Sequence, residues 1–197
     1  MAITHTNRKG QSYTLYKGQT KTGKPRYYFA RADTHQDELV VELPAGFSIS
    51  ESINGVVSLA KDRPALILPE EEAVVENAIK RLPDARTYRA VVKHNQIEIY
   101  ERAGADYETL IHTIMPSGWV DPVRAKQVQS EMEQRAQYMP IMRFTLLDSS
   151  QRLFGAERMC YRSSVNGWLK LFKTGSVATL AHVLIPTLGT EEFFELW

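Results

Sequence analysis

The sequence predicts an α+β fold, with antiparallel sheets built from successive β-hairpins and about three helices interspersed. Three observations carry that expectation. Runs of alternating apolar and polar residues come in pairs, each pair split by a cluster of turn-forming residues. Apolar residues at helical spacing are confined to a few segments that open on Pro or Ser. Those helical segments are scattered among the strands instead of alternating with them, which argues against parallel βαβ units.

Taken in order, residues 1–11 are polar and read as a frayed end. The first hairpin joins Tyr13–Tyr16 to Arg26–Arg31 through a tip rich in Gly, Thr and Lys that closes on Lys24-Pro25. Alternation puts Tyr13, Leu15 and Lys17 on one face, with Thr14 and Tyr16 opposite. On the return run Tyr27, Phe29 and Arg31 share a face, and Arg26, Tyr28 and Ala30 share the other. A two-stranded hairpin alone is marginal in water, so at least one of these aromatic faces must pack. Leu39–Leu43 is a short strand candidate stopped by Pro44-Ala45-Gly46. Phe47–Ile53 and Val56–Ala60 flank Asn54-Gly55, a strong hairpin signal because a type I′ turn needs positive φ at both central residues.

Pro69 opens a helix whose first turn, Glu70-Glu71-Glu72, complements the helix dipole and reads as solvated. Val74, Val75, Ala78, Ile79 and Leu82 form its apolar stripe. Successive helical residues point about 100° apart, so the three carboxylates do not converge on a metal. Arg86–Val92 and Ile97–Arg102 make a third hairpin, and Tyr107–Met115 reads as a strand. Asp121-Pro122 starts an amphipathic helix over Val123–Tyr138, which Pro140 ends. Ile141–Leu147 and Arg152–Arg162 make a fourth hairpin, with Trp168–Phe172 as a third strand beside it. Ser176 caps a helix through Ile185, and Thr190 caps a last turn whose Phe193, Phe194, Leu196 and Trp197 dock the terminus on the core. A boundary near Arg63–Pro69 separates an N-terminal hairpin unit, 1–66, from an α+β main domain, 67–197.

At 197 residues, 43% hydrophobic and 24% charged, the chain is long and apolar enough to bury a core. A net charge of +1 excludes a generally polybasic binder, so any attraction to polyanions must come from local segregation of charge. Segregation is marked. Before Asp33 the chain carries Arg8, Lys9, Lys17, Lys21, Lys24, Arg26 and Arg31 and no acid. Over 33–76 the acids are opposed only by Lys61 and Arg63, and over 124–173 the balance turns basic again. The simplest reading is that basic and acidic segments pair within the fold. No apolar run approaches the roughly 20 residues that span a bilayer, no secretory signal core opens the chain, and Cys160 is alone. A cytoplasmic protein that does not enter membranes is expected.

Most chemistries lack residues. Gly18–Lys24 has the residue types of a phosphate loop, but there is no G-x-x-x-x-G-K-[ST] and no helix follows to hold a phosphate at its N-terminus. His5, His35, His94, His112 and His182 show no metal-ligand spacing, so neither a metal nor another cofactor is expected. Cys160 shares a strand face with Arg158 and Arg162, cations that lower a thiol pKa; a Cys-dependent enzyme is therefore the third-ranked expectation.

The leading expectation is a non-enzymatic nucleic-acid-binding protein, with DNA or RNA as partner. Lys17, Lys21, Lys24, Arg26 and Arg31 would contact phosphates, and Tyr28, with Tyr16, Tyr27 and Phe29 beside it, would stack on bases. A two-stranded ribbon also fits the major groove of B-form DNA. Arg143, Arg152, Arg158 and Arg162 would form a second patch. The alternative is a protein-interaction or assembly subunit, binding a protein partner or a second copy. It rests on the acidic segment between basic flanks and on the apolar C-terminus. Asp37, Glu38 and Glu42 decide between them. Carboxylates within ion-pair distance of the hairpin's cations would mean that its charge is used inside the fold, which favours the interaction subunit.

Overall fold

A computed structural model describes residues 1–31, 37–104, 122–162 and 165–196. Among these it is an α+β protein of eleven strands and four α-helices, and every strand pair with an assigned register is antiparallel. The chain forms two compact units, 1–63 with 107–137, and 64–106 with 138–197. The expected strand at Tyr107–Met115 and the Asp121 cap lie outside the described residues.

In the first unit, β2 (Ser12–Gln19) is the central strand. β3 (Pro25–Ala30) runs along one edge of it in the register Tyr16↔Tyr28, which gives the two faces expected from alternation. The other edge is shared by β1 (Thr4–Thr6) and the two-residue β4 (Glu38–Leu39). Leu39–Leu43 therefore provides less strand than its composition suggests. Leu15 and Tyr16 are buried on opposite faces of β2, so both faces pack. The N-terminus is anchored, not frayed. Asn7 is buried and donates from Nδ2 to the Gly55 carbonyl at 2.7 Å, while its Oδ1 accepts from the Lys9 and Gln11 amides. Hydrogen bonds rather than apolar burial hold this segment, so its polar composition concealed the anchoring.

β5 (Phe47–Glu51) and β6 (Val57–Lys61) form the second hairpin. Its turn is not type I′. The Gly55 amide donates to the Ser52 carbonyl and the Ser52 amide to the Val56 carbonyl, leaving a three-residue loop in which only Gly55, at φ 77°, is left-handed. α2 (Pro122–Arg135) is shorter than expected, because β9 (Gln137–Asp148) begins before Pro140 and includes it. Arg8 hydrogen-bonds the end of α2 through the carbonyls of Glu133, Gln134 and Ala136, at 3.2, 3.4 and 3.0 Å.

The second unit is a five-stranded sheet in the order β11-β10-β9-β8-β7. β7 (Tyr88–Lys93) and β8 (Gln96–Ala103) form the third hairpin; β10 (Leu153–Arg162) and β11 (Val165–Gly175) continue from β9. α1 (Pro69–Lys80) and α3 (Val177–Leu184) cover one face, joining Val75, Ile79, Leu180 and Leu184 to Ile97, Ile99, Met142, Phe144, Phe154 and Leu171. Full burial of each such side chain contributes about 1.5–3 kcal/mol. Ser176 caps α3 as expected, accepting from the Thr179 amide at 3.2 Å. Period-two alternation sends Arg143, Thr145 and Leu147 to the face away from the helices.

One expectation fails here and another holds in part, and a long-range partner acts in each. Glu71, in the turn read as solvated, is only 8% exposed and receives the Arg152 guanidinium and the Leu68 amide. In the last helix, α4 (Glu192–Glu195), Phe193 joins the core and Leu196 packs against it as expected, but Phe194 is 65% exposed and takes no part. Buried Arg158 donates to the carbonyls of Leu196 and Phe194, each at 3.1 Å. Trp197 lies outside the described residues.

Candidate functional site

The first hairpin presents its tip, Thr20 to Lys24, to solvent. Gly18 and Gly23 have the spacing of a phosphate loop, but Pro25 follows Lys24 and begins β3, so the segment joins two strands and no helix N-terminus stands behind it. Lys21, Lys24 and Arg26 are exposed and have no ion pair among the described residues. Lys17 differs: Glu38 lies 3.3 Å from its Nζ. The discriminating condition is thus met at the base of the hairpin and not at its tip. Arg31 is exposed on the same ribbon.

Tyr28 is engaged both through its ring and at its hydroxyl. Tyr16 stacks on it at 5.8 Å between centroids, and the Arg26 guanidinium lies 5.7 Å from its centroid. Its hydroxyl donates to Asp37 Oδ2 at 2.5 Å, and this hydrogen bond, ahead of burial and of the carboxylate charge, pushes the phenol above its ordinary range. Tyr16 and Arg26 thus compete with a base for this ring. The aromatic ring on the opposite face, Tyr27, is exposed and pairs across the ribbon with Lys17.

Three of the four arginines expected to form a second patch are engaged within the fold. Arg143 Nε donates to Glu157 at 2.6 Å and the guanidinium covers the Trp168 ring at 4.3 Å. Arg152 is bound by Glu71 and the Leu66 carbonyl, and Arg158 by the C-terminal carbonyls. With Arg158 so held, one of the two cations expected beside Cys160 is engaged elsewhere; the Arg162 side chain lies outside what is described. Lys93, Glu98 and Tyr100 form a compact cluster in which Lys93 Nζ and the Tyr100 hydroxyl each donate to Glu98 Oε2 at 2.6 Å. Burial alone would lower the Lys93 pKa, but the bonds to Glu98 and Tyr100 hold it up; burial and then Glu98 raise Tyr100. Amine and phenol therefore both stay protonated near neutral pH and provide no nucleophile. Among the described residues no three His, Cys, Asp or Glu side chains gather as a metal requires, and no helix is long and apolar enough to cross a membrane.

A groove lies on the face of the five-stranded sheet away from α1 and α3. Its volume is about 430 Å³, and it is lined by Gln96, Arg143, Thr145, Leu147, Gly155, Glu157, Lys170, Phe172 and Lys173, among others. At its lip Leu147 is 59% and Phe172 is 89% exposed. Gly155 and Glu157, two apart on β10, pair with Thr174 and Lys170, four apart on β11, so β11 bulges outward between them. Phe172 sits in that bulge at φ 49°, a left-handed conformation that costs a residue with Cβ about 1–2 kcal/mol. Gly155 keeps the floor open, since a Cβ there would come within 3.1 Å of Leu147 Cδ1. Lys170 and Lys173 are exposed at the rim with no ion pair among the described residues.

The sequence carried a signal for this surface. Leu146-Leu147 and Leu171-Phe172 are apolar doublets inside alternating strands, and one member of such a doublet must face away from the core unless a bulge intervenes. No family model matches the chain, and neither the curated proteins nor the solved structures yield a match.

Proposed function

We propose that the protein is a docking or assembly subunit that binds protein through the groove on its five-stranded sheet. The observation that carries this reading is Phe172: the bulge in β11 turns this aromatic side chain out on a left-handed backbone, 89% exposed at the lip of the groove. Beside Leu147, with Lys170 and Lys173 at the rim, it favours an acidic, apolar, extended segment over a basic one. The groove volume, about 430 Å³, falls in the range of binding pockets, roughly 300–1,000 Å³. The test is selection from a peptide library against the purified protein. Acidic peptides with apolar residues at alternate positions should be enriched, and Phe172→Ser should abolish their capture. Enrichment without such a motif, or capture indifferent to Phe172→Ser, refutes the reading.

Direct nucleic-acid contact is the second reading, supported by Lys21 and Lys24 at the tip and Arg26 beside it, exposed cations with no ion pair among the described residues. Three phosphate contacts give weak, sequence-independent binding whose log–log salt slope is about −0.9 for each contact to duplex. A filter-binding titration with duplex and single strands at two salt concentrations tests it, and no retention at low salt removes it.

A further inference from the structure

We propose that the occupant of the groove is the Glu38–Leu43 segment of a second copy of this chain. This rests on the docking reading and gives that reading its partner. The segment has the chemistry that the groove asks for. Leu39, Val41 and Leu43 alternate at 52%, 69% and 36% exposure, and Glu42 is exposed with no ion pair among the described residues. Val40 is the inward residue; its amide donates to the Leu15 carbonyl and its carbonyl accepts from the Ile3 amide, which holds Leu39 and Val41 outward on either side of it before the chain bends at Glu42. Side chains two apart on an extended chain project about 6.7 Å apart on one face. They form an apolar row with an acid beside it, against a groove with an apolar lip and lysines beside it.

Charge does not oppose the encounter. The net charge is +1, so two copies repel little, while the carboxylate of Glu42 and the ammonium groups of Lys170 and Lys173, which have no ion pair among the described residues, attract locally. The contact joins unlike surfaces. Each copy carries one segment and one groove, so association closes as a reciprocal dimer or continues head to tail.

Sedimentation velocity across a wide concentration series reads the association, with circular dichroism and melting to confirm that each variant folds. The wild-type chain should associate with rising concentration. Val41→Asp and, separately, Leu39→Asp should weaken association at least about tenfold, because each replaces a buried apolar contact with a carboxylate. Lys173→Glu and Glu42→Lys should each weaken it by up to about fivefold, and the chain carrying both should recover in part, since the contact between positions 42 and 173 is restored with its charges exchanged while Lys170 still opposes the new cation. A monomer at all concentrations, or association that ignores Val41→Asp and Leu39→Asp, overturns the proposal. A strict monomer that still captures acidic apolar peptides in the selection above places the partner in another protein. It sinks the second copy and leaves the docking reading standing.

Discussion

Glu71 offers the sharpest test of how the second unit is held. Its carboxylate accepts from Arg152 Nε at 2.8 Å, from Arg152 Nη2, and from the Leu68 amide at 2.8 Å, closing the N-terminus of α1 onto the turn between β9 and β10. Arg152 itself is left-handed at φ 49° and also donates to the Leu66 carbonyl at 3.1 Å. Glu71→Ala removes one partner of a pair whose side chains are 10% and 30% exposed. Breaking a fully buried pair costs about 3–5 kcal/mol, and the half-open guanidinium can rehydrate, so about 2–4 kcal/mol is expected. Glu71→Gln keeps an acceptor for the Leu68 amide and should lose about half as much.

The pair also fixes a pH dependence. Burial alone would raise the Glu71 pKa, but the hydrogen bonds from Arg152 and Leu68 and the guanidinium charge together hold it below 4.5. A carboxylate depressed in the folded state contributes stability that is fully present above the unfolded pKa and is lost as pH falls through the folded one. The wild-type protein should therefore lose stability steadily as pH drops below about 4.5, and Glu71→Gln should lose less over that window. Urea unfolding at a series of pH values, followed by hydrogen exchange of the α1 amides, measures both quantities. A Glu71→Ala cost under about 0.5 kcal/mol, or parallel pH profiles for wild type and Glu71→Gln, would refute the clamp.

Other sites give independent tests. Replacing Lys21, Lys24 and Arg26 together by Ala should leave stability within about 0.5 kcal/mol per site and flatten any salt dependence of polyanion binding by about 0.9 for each lost contact; melting and filter binding read the two effects. Arg158→Ala should free the C-terminal segment, seen as rapid proteolysis after Phe193 while the sheet remains protected. Gly55→Ala should cost more than about 1–2 kcal/mol, because the residue is left-handed at φ 77° and its Cβ would come within 3.1 Å of Asn7 Nδ2; faster hydrogen exchange in β1 would locate the damage. Phe154→Ala should cost about 3–5 kcal/mol by chemical denaturation.

Much of the fold was legible because alternation and turn chemistry are local. The first hairpin's faces, the Pro69 helix start and the Ser176 cap follow from residues within a turn of one another. What was not legible depends on partners far away in the chain. Asn7 looks like a tail residue until Gly55, 48 positions on, accepts its amide. Glu71 looks solvated until Arg152, 81 positions on, arrives. Pro140 reads as a helix end because proline stops helices, yet here it lies within β9. The aromatic content of the first hairpin was legible, but the use of Tyr28 was not: its ring meets Tyr16 and Arg26 and its hydroxyl is held by Asp37.

The charge segregation along the chain has the same explanation. Glu38, Glu51 and Glu71 all come from the acidic 33–76 segment, and each meets a basic group from a flank: Lys17, His5 and Arg152 respectively. One-sided blocks of charge arise when segments distant in sequence must find one another, so such blocks record pairing within the fold before they record a ligand. Exposed apolar groups are different evidence. Burial stabilises each of them by about 1.5–3 kcal/mol, and a fold that leaves Phe172, Leu147, Leu39 and Val41 in water forgoes that gain at every one. Scattered single exposures are ordinary, but two of these flank one groove and two alternate along one extended segment. The cations invite an ionic partner that salt can displace; the paired apolar surfaces invite one that salt does not. Raising ionic strength therefore separates the two attractions. It should weaken polyanion binding at the tip steeply while leaving Phe172-dependent association largely intact.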